Sequence, residues 1–170
     1  METRDQPVSA ELVLGLGNVL LGDDGVGPAL VREIQTKYAN ENRVECIDGG
    51  TQGLALLGYL EGREAVIILD AFASGKTPGE ISVLEGPEVL GYGVSRSTTA
   101  HEGNAGELLS AAHLLGSMPE RVFLVGVEPE RVRTELGLSE SVAQSLPAAF
   151  ERTCAVVERV LIEIEERVEV

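Results

Sequence analysis

The feature that most constrains the fold of this sequence is an unbroken apolar run, AVIIL at Ala65–Leu69, that ends directly in Asp70. A short run rich in β-branched residues is typical of a strand that is buried on both faces. Such a strand needs a layer of helices on each side of its sheet. The run therefore predicts an α/β fold with its central strand at 65–69.

Strand-like and helix-like segments alternate along the rest of the chain. Short apolar runs predict further strands at Leu12–Leu14, Val44–Asp48, Glu80–Glu85 and Arg121–Val127, with 80–85 at an edge or antiparallel. Helical spacing predicts helices at 26–38, at 51–59 with Thr51 as cap, at 107–115 and from Ser139 onward, with Pro147 kinking or restarting the last. Residues 86–100 have no clear period and are expected to form the longest loop. This alternation predicts a three-layer α/β/α sandwich.

Length and charge limit the possible partners. The chain has 170 residues, which predicts a single domain over 1–170 with residues 1–10 flexible. Its net charge of −15 repels phosphate, so we expect no nucleic-acid partner, whereas divalent cations and basic partners are favoured. No apolar run approaches the ~18 residues that a membrane span needs, and the first residues do not form a signal peptide. We therefore expect a cytoplasmic monomer with no membrane insertion.

Several well-known site types do not fit the sequence. Its two cysteines, Cys46 and Cys154, form no Cys-x-x-Cys pair, which argues against a thiolate zinc site or a redox motif. They fall in a predicted strand and on an apolar helix stripe, so neither is expected to be a nucleophile. The glycine-rich segment Gly15–Gly27 resembles a dinucleotide-binding loop, but Leu20 occupies the third glycine position and two acids follow where a phosphate would dock.

Acidic residues stand at the ends of three predicted strands, the edge of an α/β sheet where ligands bind. Asp23 and Asp24 precede a helix, and one of them can cap it, but one helix start needs one cap. Asp70 ends the central strand, where a carboxylate is costly unless it is hydrogen-bonded or paired. It either forms an Asp turn or serves as an anionic ligand or general base. Asp48 precedes a Gly-Gly-Thr segment, which favours a role in the turn and cap.

Histidine is scarce in the chain, which has only His101 and His113. His113 falls inside the helix predicted at 107–115, and we expect it to be structural. His101 lies between the irregular loop and that helix, a position that suits a metal ligand or an acid–base group as well as an inert residue. A carboxylate of the first loop, Asp70 and His101 would together suit zinc, nickel, manganese or iron. The sequence leaves their convergence open.

Taken together, five segments resemble the hydrogenase maturation endopeptidase family. They have the family's order and similar spacing, and they are Val13–Gly27, Ile47–Leu57, Val66–Ala71, His101–Leu109 and Pro119–Glu130. Each motif alone is weak, but five in order are specific. The resemblance implies a mostly parallel, twisted five-stranded sheet between helices.

The resemblance also implies a function. Members of the family remove a C-terminal extension from the large-subunit precursor of a nickel–iron hydrogenase after nickel insertion. The family's metal-contacting residues fall here on Asp24, Asp70 and His101, which are thereby implied to be both the metal ligands and the catalytic residues. The nickel would be carried by the substrate rather than bound permanently. Whether it is catalytic or only recognised is left open.

Two other functions use the same residues or the same fold. A non-catalytic nickel-binding maturation chaperone would bind through the same three side chains and leave its partner uncut. A small-molecule hydrolase or phosphorylase would need an anion-binding pocket, and the acidic first loop argues against one.

Overall fold

The computed structural model describes residues 9–95 and 105–168. Within these ranges the strands are β1 (Glu11–Leu16), β2 (Val44–Gly50), β3 (Ala65–Ala71), β4 (Ile81–Glu85) and β5 (Arg121–Val127). The α-helices are α1 (Val26–Lys37), α2 (Leu57–Leu60), α3 (Pro87–Ser95), α4 (Ala105–Leu115) and α5 (Glu140–Val168). Short 3₁₀ turns at Gly22–Gly25 and Gly53–Leu56 precede α1 and α2.

The strands form one five-stranded sheet in the order β2-β1-β3-β5-β4. Neighbouring strands are parallel except for β4, which pairs antiparallel with β5 at one edge. The predicted α/β fold with a mostly parallel five-stranded sheet is confirmed, and so is the edge position of the strand at 81–85.

Alternate residues of the central strands feed two apolar cores, one on each face of the sheet. Val13 and Ile67 pack with α1 and α5, whereas Leu14 and Ile68 pack with α2, α3 and α4 on the opposite face. All four side chains are fully buried. This two-sided burial explains the unbroken apolar runs and confirms the helix layer on each face.

The strand order reverses at β1, because the chain passes from β1 to β2 on one side while β3 lies on the other. By the general rule for such sheets, the ligand crevice lies outside the carboxyl ends of β1 and β3. Gly27 lets the first turn of α1 approach both strand ends. A Cβ there would lie 2.1 Å from the carbonyl oxygen of Leu16 and 2.4 Å from that of Leu69.

The prediction of a loop over 86–100 is wrong in part, because Pro87–Ser95 forms α3. Residues 96–100 lie outside the described ranges. Two glycines in α3 obscure its helical pattern in the sequence, since glycine is a poor helix former. Pro87 nevertheless suits the first helical position, and Val89 anchors the helix in the core.

Two other local predictions differ from the structure. No side chain caps the helical turn that begins at Gly53, so the proposed Thr51 cap is wrong; the chain turns there through glycines with positive φ. Pro147 does not restart the last helix, because α5 runs through it. Of the N-terminal residues predicted to be flexible, 1–8 lie outside the described ranges, and Ala10 is anchored because its carbonyl accepts the N–H groups of residues 64 and 65.

In the described part of the chain no helix is long and apolar enough to cross a membrane.

Glu11 is a buried acid at the first position of β1, at the end of the sheet where the parallel strands begin. Its side chain is fully buried, and neither carboxyl oxygen has a hydrogen-bond partner. Burial raises the pKa of Glu11 to about 8, although the charges of Arg121 and Arg43 oppose the shift. Glu11 is therefore mostly the neutral acid at pH 7, the form that burial penalises least.

We expect the free energy of unfolding to fall as the pH rises from 4.5 to about 8, because native Glu11 keeps a proton that the unfolded chain has released. Glu11→Gln cannot titrate and should flatten this slope by up to ~1.4 kcal/mol per pH unit. Urea unfolding of both proteins between pH 5 and pH 9 measures the difference. Glu120→Gln, at an exposed acid, should keep the wild-type slope. Equal slopes for wild type and Glu11→Gln would contradict the assignment.

Candidate functional site

Asp24 lies on the 3₁₀ turn that joins β1 to α1. Its carboxylate accepts a 2.7 Å hydrogen bond from the backbone N–H of Asn18, which folds the loop back on itself. Gly17 makes this turn possible. Its φ of 132° suits glycine, and a Cβ there would lie 1.8 Å from the backbone oxygen of Asp24. The glycine-rich pattern of the first loop therefore serves to place Asp24.

Asp70 lies one residue before the end of β3 and is only 8% exposed. The backbone N–H groups of Ala71 and of Ala105, the first residue of α4, favour the charged form of its carboxylate. A negative charge is favoured at a helix N-terminus, where backbone N–H groups are free to donate. Asp70 is therefore influenced both by the N–H of its own segment and by the N-terminal end of α4.

Asp24 and Asp70 influence each other across the crevice. The strands that lead to them are adjacent and in register, with Gly15 paired to Leu69. Burial, and then the negative charge of Asp24, raises the pKa of Asp70 from 3.8 to about 8 despite the bonds from Ala71 and Ala105. Asp70 thus retains a proton near neutral pH unless a cation compensates the two carboxylates.

His101, the third predicted ligand, lies outside the described ranges. The structure therefore brings together two of the three predicted site residues, and residues 9–95 and 105–168 alone hold no cluster of three metal-binding side chains. Ala105, whose N–H favours the charged form of Asp70, follows His101 by four positions in the sequence.

Asp23 is a buried clamp rather than a helix cap. No side chain caps the 3₁₀ turn or α1, so the cap considered from the sequence is wrong. The Asp23 carboxylate accepts the backbone N–H groups of Glu130 (2.9 Å) and Arg131 (3.0 Å), and both the N–H (2.7 Å) and the hydroxyl (2.8 Å) of Ser139. Burial opposes its charge, but these bonds hold the pKa of Asp23 below its usual value. Asp23 thereby fixes the β5–α5 connection against the turn that carries Asp24.

The remaining candidates have structural roles or unreactive surroundings. Asp48 forms the predicted turn, accepting the N–H of Gly50 at 3.2 Å. His113 lies exposed in the last turn of α4. Burial raises the pKa of Cys46 to about 11 and also raises that of Cys154, so neither thiol is activated as a nucleophile.

One buried acid that supports the crevice was missed from the sequence. Glu128 directly follows β5, and its carboxylate accepts the N–H and the hydroxyl of Ser74, both at 2.7 Å, and the N–H of Gly75 at 3.2 Å. It therefore holds the β3–β4 loop in place. The available signal was an acid immediately after a buried strand, the same signal that singles out Asp70.

Comparison with known proteins places the chain in a family. A family model described as HycI, hydrogenase maturation protease, matches residues 28–156. The hydrogenase 2 maturation protease of Escherichia coli K12 is 36% identical over 145 residues, which are 85% of this chain and 88% of that protein. The hydrogenase expression/formation protein HupD of Bradyrhizobium diazoefficiens is 39% identical over 118 residues, 69% of this chain and 62% of that protein.

Solved structures show the same relationship. The hydrogenase maturating endopeptidase HybD of Escherichia coli matches with a TM-score of 0.80 at 34% identity, over 88% of this chain and 93% of that one. A hydrogenase 2 maturation peptidase from a Thaumarchaeota archaeon matches with a TM-score of 0.65, also at 34% identity, over 87% of this chain and 97% of that one. Sequence and fold agree over most of the chain, which therefore belongs to the hydrogenase maturation protease family.

Proposed function

We propose that this chain is an endopeptidase that removes the C-terminal extension from the large-subunit precursor of a nickel–iron hydrogenase after nickel has been inserted. The observation that carries the proposal is the pairing of Asp24 with buried Asp70 at the crevice between β1 and β3, in a chain of the hydrogenase maturation protease family. The protein acts as a cytoplasmic monomer in this proposal. Its net charge of −15 supports the monomer, because like-charged copies repel one another.

Asp24, Asp70 and His101 contact the nickel that the precursor carries. Two carboxylates and one imidazole form a donor set that suits a divalent first-row metal. In the free enzyme the charge of Asp24 and the burial of Asp70 favour a proton on Asp70. Nickel carried by the precursor would take the place of that proton, which is released to solvent, and would relieve the repulsion, so tight docking requires a nickel-loaded precursor.

Hydrolysis adds water across the scissile peptide bond. The water oxygen bonds to the carbonyl carbon, the C–N bond breaks, and a proton passes to the departing amine. A carboxylate of the site accepts the proton from the attacking water. The nickel would hold the precursor in the crevice, and a bound divalent metal supplies Lewis-acid polarisation of a carbonyl.

Asp70→Asn and His101→Ala should each lower the rate of precursor cleavage by at least ~100-fold, because each removes a nickel contact and a candidate acid–base group. Mass spectrometry of the precursor before and after incubation measures the new C-terminus. Circular dichroism should give wild-type spectra for both variants.

Asp48→Asn is the matched control for these variants. It changes an exposed acid on neighbouring β2 and should cleave like wild type, since asparagine keeps the turn. Wild-type cleavage by both Asp70→Asn and His101→Ala would overturn the site. Nickel-dependent binding by the wild-type chain with no new C-terminus would favour the chaperone alternative instead.

A precursor prepared without nickel should remain uncut by the wild-type enzyme. The physical reason is that no cation then compensates Asp24 and Asp70. Loading the same precursor with nickel should restore cleavage, as measured by the mass of the product. Equal cleavage of the nickel-free and nickel-loaded precursors would show that nickel is not what the enzyme recognises.

A further inference from the structure

Three aliphatic side chains lie exposed beside the crevice. They are Val19 and Leu20 in the β1–α1 loop and Leu136 in the β5–α5 connection, with 46%, 56% and 80% of their surface exposed. We call these three side chains the aliphatic patch. Exposed apolar side chains that group together mark interaction sites more often than scattered ones do.

Backbone hydrogen bonds hold the two segments of the aliphatic patch together. The N–H of Glu135 donates to the carbonyl of Leu20 at 3.0 Å, and the N–H of Gly22 donates to the carbonyl of Glu135 at 2.8 Å. The buried Asp23 clamp adds its bonds to Glu130, Arg131 and Ser139. The patch is thus formed before any partner binds, which lowers the entropy cost of binding.

The aliphatic patch is continuous with the carboxylate pair. Asn18, immediately before Val19, donates its N–H to the Asp24 carboxylate at 2.7 Å. Val19 also packs over the turn itself, since a Cβ on Gly25 would lie 3.1 Å from the Val19 Cα. A polypeptide whose metal ion sits at Asp24 and Asp70 therefore passes close to Val19 and Leu20.

Charge and size point to a short uncharged segment as the occupant. Residues 15–22 contain no charged side chain in a chain whose net charge is −15. A fully buried aromatic side chain covers only ~150–250 Å². Three partly exposed aliphatic ones therefore fall short of the ~800 Å² per partner of a standard protein interface. A stable dimer through this patch is thus disfavoured, whereas a few residues of an extended chain fit it.

We propose that the aliphatic patch binds an uncharged, apolar stretch of the precursor polypeptide next to the scissile bond. This assignment rests on the proposed function and adds a specificity element to it. The cation and the apolar stretch are recognised by separate parts of one crevice. The carboxylate pair selects for nickel loading, and the aliphatic patch selects the sequence beside the cut.

The test compares Leu20→Ser and Leu136→Ser with Leu114→Ser. The control removes Leu114, which is 84% exposed and so at least as exposed as either patch leucine, and which lies ~14 Å along the axis of α4 from Ala105. The probe is the nickel-loaded large-subunit precursor from the same cell as the chain. In each patch variant the dissociation constant and the KM for the precursor should rise ~10-fold, and kcat should change less. The reason is that serine reduces the apolar area that is buried when the precursor binds. The control should match wild type.

Several outcomes would overturn the assignment. One is an unchanged dissociation constant in both patch variants, and another is an equal loss of affinity in Leu114→Ser. If the wild-type chain sediments as a dimer and both patch variants sediment as monomers, the patch binds a second copy of the chain instead. Failure of the proposed function looks different, since the wild-type chain would then bind the precursor through the patch but leave it uncut.

Discussion

The electrostatic conflict between Asp24 and Asp70 is the constraint on which the account of this molecule depends. Asp70 lies in the interior at the end of a central strand, and a second carboxylate is held near it. Such a pair is stable with a proton or with a cation, but not with two uncompensated charges. In the function we propose, a substrate that brings its own divalent metal would supply the cation that compensates both carboxylates.

Much of the surrounding structure serves to hold this pair in place. Gly17 and Gly27 let the first loop and the start of α1 approach the strand ends. Asp23 accepts hydrogen bonds from the β5–α5 connection, and Glu128 accepts them from the β3–β4 loop, so each acid holds one connection in place. Their charge is stabilised by N–H and hydroxyl donors, whereas the pKa of Asp70 remains raised. This difference in environment separates the two acids that hold loops in place from Asp70, the acid that we propose takes part in the chemistry.

The sheet was predictable because burial on both faces leaves a direct trace in the sequence. The runs at Ala65–Leu69 and Arg121–Val127 indicated strands that the structure contains, and an acid after a buried strand indicated Asp70. α3 was not predictable from periodicity, because its glycines weaken the pattern and its stability comes from packing of residues such as Val89. The role of Asp23 was equally hidden, since it depends on Ser139, more than a hundred positions away in the sequence. Long-range partners decide such roles, and local sequence does not contain them.

The most direct test of the central claim is a crystal structure of the chain soaked with nickel, with the ion located by its anomalous scattering. We expect one ion with oxygens of Asp24 and Asp70 and a nitrogen of His101 at ~2.0–2.2 Å, as is typical of such ligands. An ordered ion elsewhere, or an ion in the crevice with Asp24 or Asp70 too distant to coordinate it, would contradict the account.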